Sequence, residues 1–110
     1  MNTPTLDELN LLHANICQAL GDPKRILILY SLYEKPRHVS ALAEDLGMPQ
    51  PTVSRHLRVL RERGLVKTER NGTAVTYTVT DDRMIKVIDT MRQVLRDVLE
   101  QQSVILSDFT

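Results

Sequence analysis

Basic side chains are concentrated in one segment of this chain. Residues 50–72 hold six of them against two acidic side chains, a net charge of +4. The six are Arg55, Arg58, Arg61, Arg63, Lys67 and Arg70. The flanking segments each hold four basic and six acidic residues, so the 110-residue chain is neutral as a whole. Because a local positive field attracts phosphates whatever the total charge, this segment predicts contact with the backbone of a nucleic acid.

Catalytic chemistry has weaker support in the sequence. Ser54 stands beside Arg55 and His56, but no third side chain in the pattern orients them as a nucleophile and its base. There is no glycine-rich phosphate-binding loop either. An enzyme is therefore the least favoured class, and no cofactor is predicted.

His13 and Cys17 are the remaining candidates for metal or redox chemistry. Four residues apart, they share one face of a predicted helix. They could form half of a metal site completed by a partner subunit, or Cys17 could act as an oxidisable thiol. Two ligands do not make a site, so the favoured interpretation is a small cysteine packed in a subunit interface beside a partly exposed histidine.

Two helices are predicted ahead of the basic segment. Apolar residues three or four apart over residues 5–20 indicate an amphipathic helix that Gly21 ends. Asp22 and Pro23 begin a second helix, which runs to about Tyr33. Its mostly inward residues are expected to be Ile26, Leu27, Leu29, Tyr30 and Leu32.

A third and a fourth helix follow, joined by a tight turn. Residues 40–46 form a short helix that Gly47 closes, and the next helix begins near Gln50 and ends at Gly64. Its buried face is Val53, Leu57 and Leu60, and its exposed face is Gln50, Pro51, Ser54, Arg55, Arg58 and Arg61. Pro51 is tolerated because the N–H groups of a first helical turn have no intrahelical partner. Two short helices around a glycine turn predict a helix-turn-helix.

A hairpin and a long helix complete the pattern. Residues 66–70 and 74–78 are rich in β-branched side chains and flank Asn71-Gly72, a strong hairpin signal. From about Asp82 a last helix carries a heptad-like apolar seam that continues to Ile105. The predicted fold is mainly α with a small β-hairpin wing: one winged helix-turn-helix domain over residues 1–110 with five helices, the hairpin lying between the fourth and the fifth.

Composition places the protein in a broad class. Hydrophobic residues make up 42% of the chain and aromatic residues 4%, so the core must be aliphatic. No apolar run approaches the length of a membrane span, the N-terminus has no signal-peptide pattern, and one cysteine excludes an internal disulfide. A soluble cytoplasmic protein is expected.

Three segments of the sequence together resemble a known family. "ALGDPKRILILYSL", "LAEDLGMPQPTVSRHLRVLRERGLV" and the Asn-Gly hairpin are similar to the ArsR/SmtB family of bacterial winged-helix repressors, over roughly residues 12–100. The resemblance implies a homodimer that binds a pseudo-palindromic operator in double-stranded DNA and is released by an inducer where one exists. Dimer contacts are expected from the first and last helices, at Leu9, Leu12, Ile16, Met84, Ile88, Met91, Leu95 and Val98.

The family also implies roles for particular residues. Base reading carries over to Gln50, Pro51, Ser54 and Arg55, with Arg55 suited to guanine and Gln50 to adenine. Phosphate or minor-groove contacts are expected from Thr52, Arg58, Lys67, Arg70, Asn71, Gly72 and Thr73. Pro49 stands where the family usually has a serine N-cap, which removes a cap worth ~1 kcal/mol. His56, near the core edge, is expected to be packed and hydrogen-bonded.

The family's metal and thiol sites are not matched. His38 and Ser40 replace its Cys-x-Cys pair, and the last helix contains no histidine. A paired-cysteine switch needs a second cysteine in the chain. We therefore predict no metal site of these types, and leave a small-molecule or redox effector open. A winged-helix module that binds proteins and not DNA is the alternative function.

Overall fold

The computed structural model describes residues 2–107, and the side chains of residues 2–103. Its helices are α1 (Leu6–Leu12), α2 (Pro23–Glu34), α3 (Val39–Leu46), α4 (Gln50–Glu62) and α5 (Arg83–Ser107). Strands β1 (Val66–Asn71) and β2 (Ala74–Val79) lie between α4 and α5 as an antiparallel pair. The predicted fold class, mainly α with a β-hairpin wing, is confirmed.

The predicted first helix changes its winding along its length. Thr5 caps α1 by accepting the Glu8 N–H at 3.2 Å. Beyond Leu12, residues His13–Cys17 form a wider π-helical turn, in which the Gln18 N–H donates to the His13 carbonyl at 2.9 Å. A short 3₁₀ turn, Ala19–Gly21, ends the segment. The prediction of one regular helix over residues 5–20 was therefore wrong in its winding, although the segment is helical almost throughout.

Helix α2 begins as predicted and supplies the centre of the core. The Asp22 side chain accepts the Lys24 N–H at 2.9 Å, and Pro23 occupies the first helical turn. Ile28, Leu29 and Leu32 are buried. Leu27, expected to face inward, is 48% exposed. Because Ile28 and Leu27 are adjacent in an almost uniformly apolar stretch, spacing alone did not separate the inward residue from the outward one.

Helices α3 and α4 pack together across a glycine turn. Gly47 has a φ of 64°, and the Met48 N–H donates to the Ala43 carbonyl at 3.0 Å. This left-handed C-terminal turn is one that glycine adopts without a steric penalty. Leu42 and Ala43 of α3 are buried, as are the predicted inward residues of α4, Val53, Leu57 and Leu60.

The hairpin turns one residue later than expected. Asn71 pairs with Ala74, so the two-residue loop is Gly72-Thr73 and not Asn71-Gly72. Gly72 has a φ of 66°, and within residues 2–107 every residue with a positive φ is a glycine. Glycine at the first loop position alone fits a type II′ turn, whereas Asn-Gly loops favour type I′.

Helix α5 is tied to the rest of the protomer near its N-terminus. Ile85 and Ile88 are buried in the core. Further along, Tyr30 of α2 donates a hydrogen bond to the Asp89 carboxylate, and Arg92 lies 5.2 Å from the centroid of the Tyr30 ring. Beyond these contacts, α5 extends away from the core. The side chain of Ile105, the last residue of the predicted seam, lies outside the described residues.

Candidate nucleic-acid interface

The first turn of α4 is closed without a side-chain cap. Pro49 occupies the N-cap position and makes no side-chain hydrogen bond, as expected. A capping side chain accepts from the second or third helical N–H. Here the second helical residue is Pro51, which has no N–H, and the third, Thr52, donates to the Pro49 carbonyl at 3.0 Å. Neither donor is left unsatisfied, so replacing the family's usual serine costs less than the simple loss of a cap.

The predicted reading face of α4 is accessible. Gln50, Pro51, Ser54, Arg55 and Arg58 are exposed, and Thr52 is half-buried. Arg55 donates a long hydrogen bond, 3.5 Å, to the Thr52 hydroxyl one turn earlier. In the described part of the chain, Arg55 and Arg58 form no ion pair. No carboxylate in this part of the chain therefore neutralises their guanidinium groups, which can bind bases or phosphates.

The wing presents the other predicted contact residues. Lys67 on β1 and the tip residues Arg70, Asn71, Gly72 and Thr73 are all exposed. The base of the wing is held by a backbone bridge, in which Arg37 and Tyr77 exchange hydrogen bonds of 3.1 and 2.8 Å. His38 adds a contact of 2.9 Å between its Nδ1 and the Val75 carbonyl. The tip is thus a free loop on an anchored base.

His56 takes no part in this exposed face, as predicted. Its side chain is 14% exposed and lies between Arg25 and Asp22 at the start of α2. Burial lowers the pKa of His56 below its usual 6.5; the Asp22 carboxylate opposes this change and Arg25 adds to it. The ring is therefore a neutral, hydrogen-bonded group at neutral pH.

Sequence reasoning missed the partner of His56. Arg25 stands 31 residues away along the chain, and its side chain reaches both the His56 ring and the end of the N-terminal helical segment. No local spacing signals such a contact, because it depends on how α2 crosses α4.

The His13–Cys17 pair lies on the π-helical turn. Both side chains are exposed in the protomer, so Cys17 is not buried there. Over residues 2–107 no group of three His, Cys, Asp or Glu side chains comes together in a way that could hold a metal. Cys17 instead borders a groove of about 430 Å³ whose other apolar walls are Leu20, Ile26, Ile88, Met91 and Leu95.

The predicted dimer residues divide into two groups. Leu9 and Leu12 on α1, and Met91, Leu95 and Val98 on α5, are 42–55% exposed and are not covered by the protomer's core. Ile88 is 2% exposed and packs in the core of its own protomer, so little of its side chain remains for an intersubunit seam. Ile16 and Met84 are half-buried against the same core.

No described helix is long and apolar enough to cross a membrane.

Comparison with known proteins supports this architecture. Residues 22–68 match the model of the arsR family of bacterial regulatory proteins. The chain is 41% identical over 76 residues to the HTH-type transcriptional regulator MJ1325 of Methanocaldococcus jannaschii, covering 68% of this chain and 85% of that protein.

Two solved structures share the fold. Rv0081 of Mycobacterium tuberculosis is 34% identical with a TM-score of 0.76, covering 86% of this chain and 95% of that one. The homodimeric winged helix-turn-helix DNA-binding domain of Mb0332 from Mycobacterium bovis is 29% identical with a TM-score of 0.74, covering 92% and 95%. The protein described here therefore belongs to the ArsR family of winged helix-turn-helix transcriptional regulators.

Proposed function

We propose that this protein is a homodimeric repressor that binds a pseudo-palindromic operator, with α4 in the major groove and the wing on the adjacent backbone. The observation that carries the proposal is the exposed face of α4. Its first turns present Gln50, Ser54 and Arg55 to solvent, while the opposite face is buried in the core. A helix held in this way can insert its outer face into a groove without disturbing the fold.

Roles within the interface follow from side-chain chemistry. Arg55 would donate two hydrogen bonds to guanine, and Gln50 would pair with adenine. Pro51 and Ser54 would also contact base edges. Thr52, Arg58, Lys67 and the wing tip, residues 70–73, would hold phosphates or enter the minor groove, which positions the readers without specifying sequence.

The second copy is supported by apolar side chains left uncovered on the protomer. Helices α1 and α5 each expose large apolar side chains that the protomer's core does not cover: Leu6, Leu9, Leu11, Leu12, Val87, Met91, Val94, Leu95, Val98 and Leu99. Large exposed apolar side chains in this number are typical of an interaction site in a protein that folds in water. The Mycobacterium bovis relative is a homodimer, and pairing of the same surface on two copies would give the two-fold symmetry that a pseudo-palindrome requires.

Selection of bound duplexes from a random pool tests this function. We expect enriched duplexes to contain two inverted half-sites whose centres lie about one helical turn of DNA, or a multiple of it, apart. Their affinity should fall steeply with salt, because each phosphate contact releases counterions. If no sequence is enriched and duplex binding does not depend on salt, the protein is instead a winged-helix module that binds other proteins.

A further inference from the structure

One arginine joins the N-terminal helical segment to the reading helix. The Nε of Arg25 donates to the Ala19 carbonyl at 2.6 Å, and its Nη2 donates to the Gln18 carbonyl at 3.0 Å. The remaining nitrogen, Nη1, lies 3.5 Å from Nδ1 of His56 on α4. The guanidinium thus uses all three of its nitrogens, two on the end of one helical segment and one on the ring.

The chemistry of these partners determines which ring nitrogen of His56 carries the proton. Arginine has donors and no acceptor, so Nδ1 of His56 must accept and Nε2 must carry the proton. Nε2 faces the Asp22 carboxylate, 3.9 Å away. Asp22 is itself fixed, because it accepts the Lys24 N–H as the cap of α2. Groups at the start of α2 therefore face both ring nitrogens and favour this tautomer of the ring.

We propose that Arg25 and His56 are positioning residues for DNA recognition: Arg25, bound firmly to the end of the N-terminal segment and in contact with the His56 ring, favours one orientation of α4 against that segment and hence one relative placement of the two reading helices in the dimer. The inference rests on the proposed function. His56 directly follows Arg55, so any rotation of α4 about its axis moves the ring and the reading side chain together. The bonded carbonyls belong to the segment that begins with the apolar surface of α1. The Arg25–His56 pair thus connects the dimer surface to the reading face.

Acid should break this connection. The charged groups facing the ring are Asp22, Lys24 and Arg25 at the start of α2, and Arg55 on α4 itself. Protonation turns Nδ1 into a donor that opposes the Arg25 donor, and adds a positive charge among three others. Because burial lowers the pKa of His56, the neutral ring and its bond persist through neutral pH and are lost as the pH falls below the usual range of imidazole.

Three variants and two duplexes test the proposal. His56→Asn keeps an acceptor for Arg25 but cannot titrate, His56→Leu removes the acceptor, and Arg25→Lys keeps the charge but loses the planar fork. Each is measured on a duplex selected by the wild type and on the same duplex with one half-site scrambled. Tyr30→Phe is the matched control, since it removes a bond between α2 and α5 and leaves α4 untouched.

The expected result is a loss specific to paired half-sites. His56→Leu and Arg25→Lys should lose roughly three to ten times more affinity for the two-half-site duplex than for the scrambled one, the range that a hydrogen bond of ordinary or lower strength produces. His56→Asn and Tyr30→Phe should bind both duplexes like the wild type at about pH 8. Towards about pH 5 the wild type should lose affinity for the two-half-site duplex relative to His56→Asn.

Other outcomes would overturn the inference. Equal losses on the two duplexes would reduce the pair to an ordinary structural contact. Unchanged binding by both His56→Leu and Arg25→Lys would show that the pair takes no part in DNA recognition. If His56→Leu does not fold, identical pH profiles for the wild type and His56→Asn reject the proposal. These results leave the proposed function standing, whereas a wild-type protein that selects no duplex overturns both.

Discussion

Arg55 is partly ordered on the proposed reading surface of α4. Its Nη2 donates to the Thr52 hydroxyl across one helical turn, so the guanidinium lies along the end of α4 that would enter the groove. At 3.5 Å the bond is long and weak. It therefore restricts the side chain without competing strongly against a base. A planar donor fork held near its target loses less entropy on binding than a free one does.

The proposed roles of Arg55 and Lys67 separate base reading from phosphate contact. Replacing Arg55 by alanine should cost ~1–3 kcal/mol of binding free energy on the selected duplex and relax the preference at one base pair. Lys67→Ala, on the wing, should weaken binding to all sequences alike and reduce the slope of affinity against salt by about 1. Titration of both variants with the selected duplex and with random DNA distinguishes the roles. Equal losses on both duplexes for Arg55→Ala would refute its role as a base reader.

The sequence predicted the position of His56 but not its contact with Arg25. His56 was expected at the core edge because it lies three residues from Val53 on the same helix, and helical spacing reports such positions directly. Arg25 carried no comparable signal, since its three acceptors are two backbone carbonyls and a ring 31 residues away. Contacts that depend on how two helices cross become visible only when the helices are placed.

At the scale of elements, local rules predicted where helices begin better than how they wind. Asp22 and Pro23 start α2 as their chemistry requires, and Gly47 ends α3. The π-helical turn at His13–Cys17 was not predicted. Its apolar residues continue a spacing of three and four, and that pattern does not distinguish an α-turn from a wider one. The hairpin loop was displaced by one residue for a similar reason, because Asn71-Gly72 and Gly72-Thr73 both satisfy two-residue turns.

Helix α5 is held against α2 by a small polar cluster. Tyr30 donates to Asp89, and Arg92 donates to the same carboxylate at 3.1 Å. Burial, followed by the bond to Asp89, raises the pKa of Tyr30, whereas the bond from Tyr30 lowers the pKa of Asp89. The cluster therefore stabilises the fold above the usual range of a carboxyl group, and this contribution is lost as the pH falls through the lowered pKa of Asp89.

Tyr30→Phe tests this polar cluster, which joins α2 and α5. The variant keeps the ring under Arg92 and removes the hydroxyl, so the melting temperature should fall by a few degrees at neutral pH. Asp89→Asn should give a comparable fall. In the double variant the two effects should combine to less than their sum, because both remove the same bond. Full additivity of the shifts in thermal melts would show that the side chains stabilise the protein independently.

At the scale of the whole molecule, one helix serves two surfaces. Ile85 and Ile88 of α5 complete the protomer's core, while Met91, Leu95 and Val98 continue the apolar pattern where there is no core left to cover them. Periodicity predicted the pattern but not this division, since it records which side chains are apolar and not whether the protomer's core covers them.

The exposed part of α5 can be altered without disturbing the protomer. Leu95 is 55% exposed, so Leu95→Glu should leave the helical circular dichroism unchanged while placing a charge in the apolar surface of each copy. We expect the variant to sediment as a monomer and to bind the two-half-site duplex roughly a hundredfold more weakly, as the benefit of linked half-sites is lost. Gln93→Glu adds the same charge at an exposed position on the opposite side of α5 from Met91 and Leu95, and should remain dimeric. A Leu95→Glu variant that still sediments as a dimer would place the second copy on a different surface.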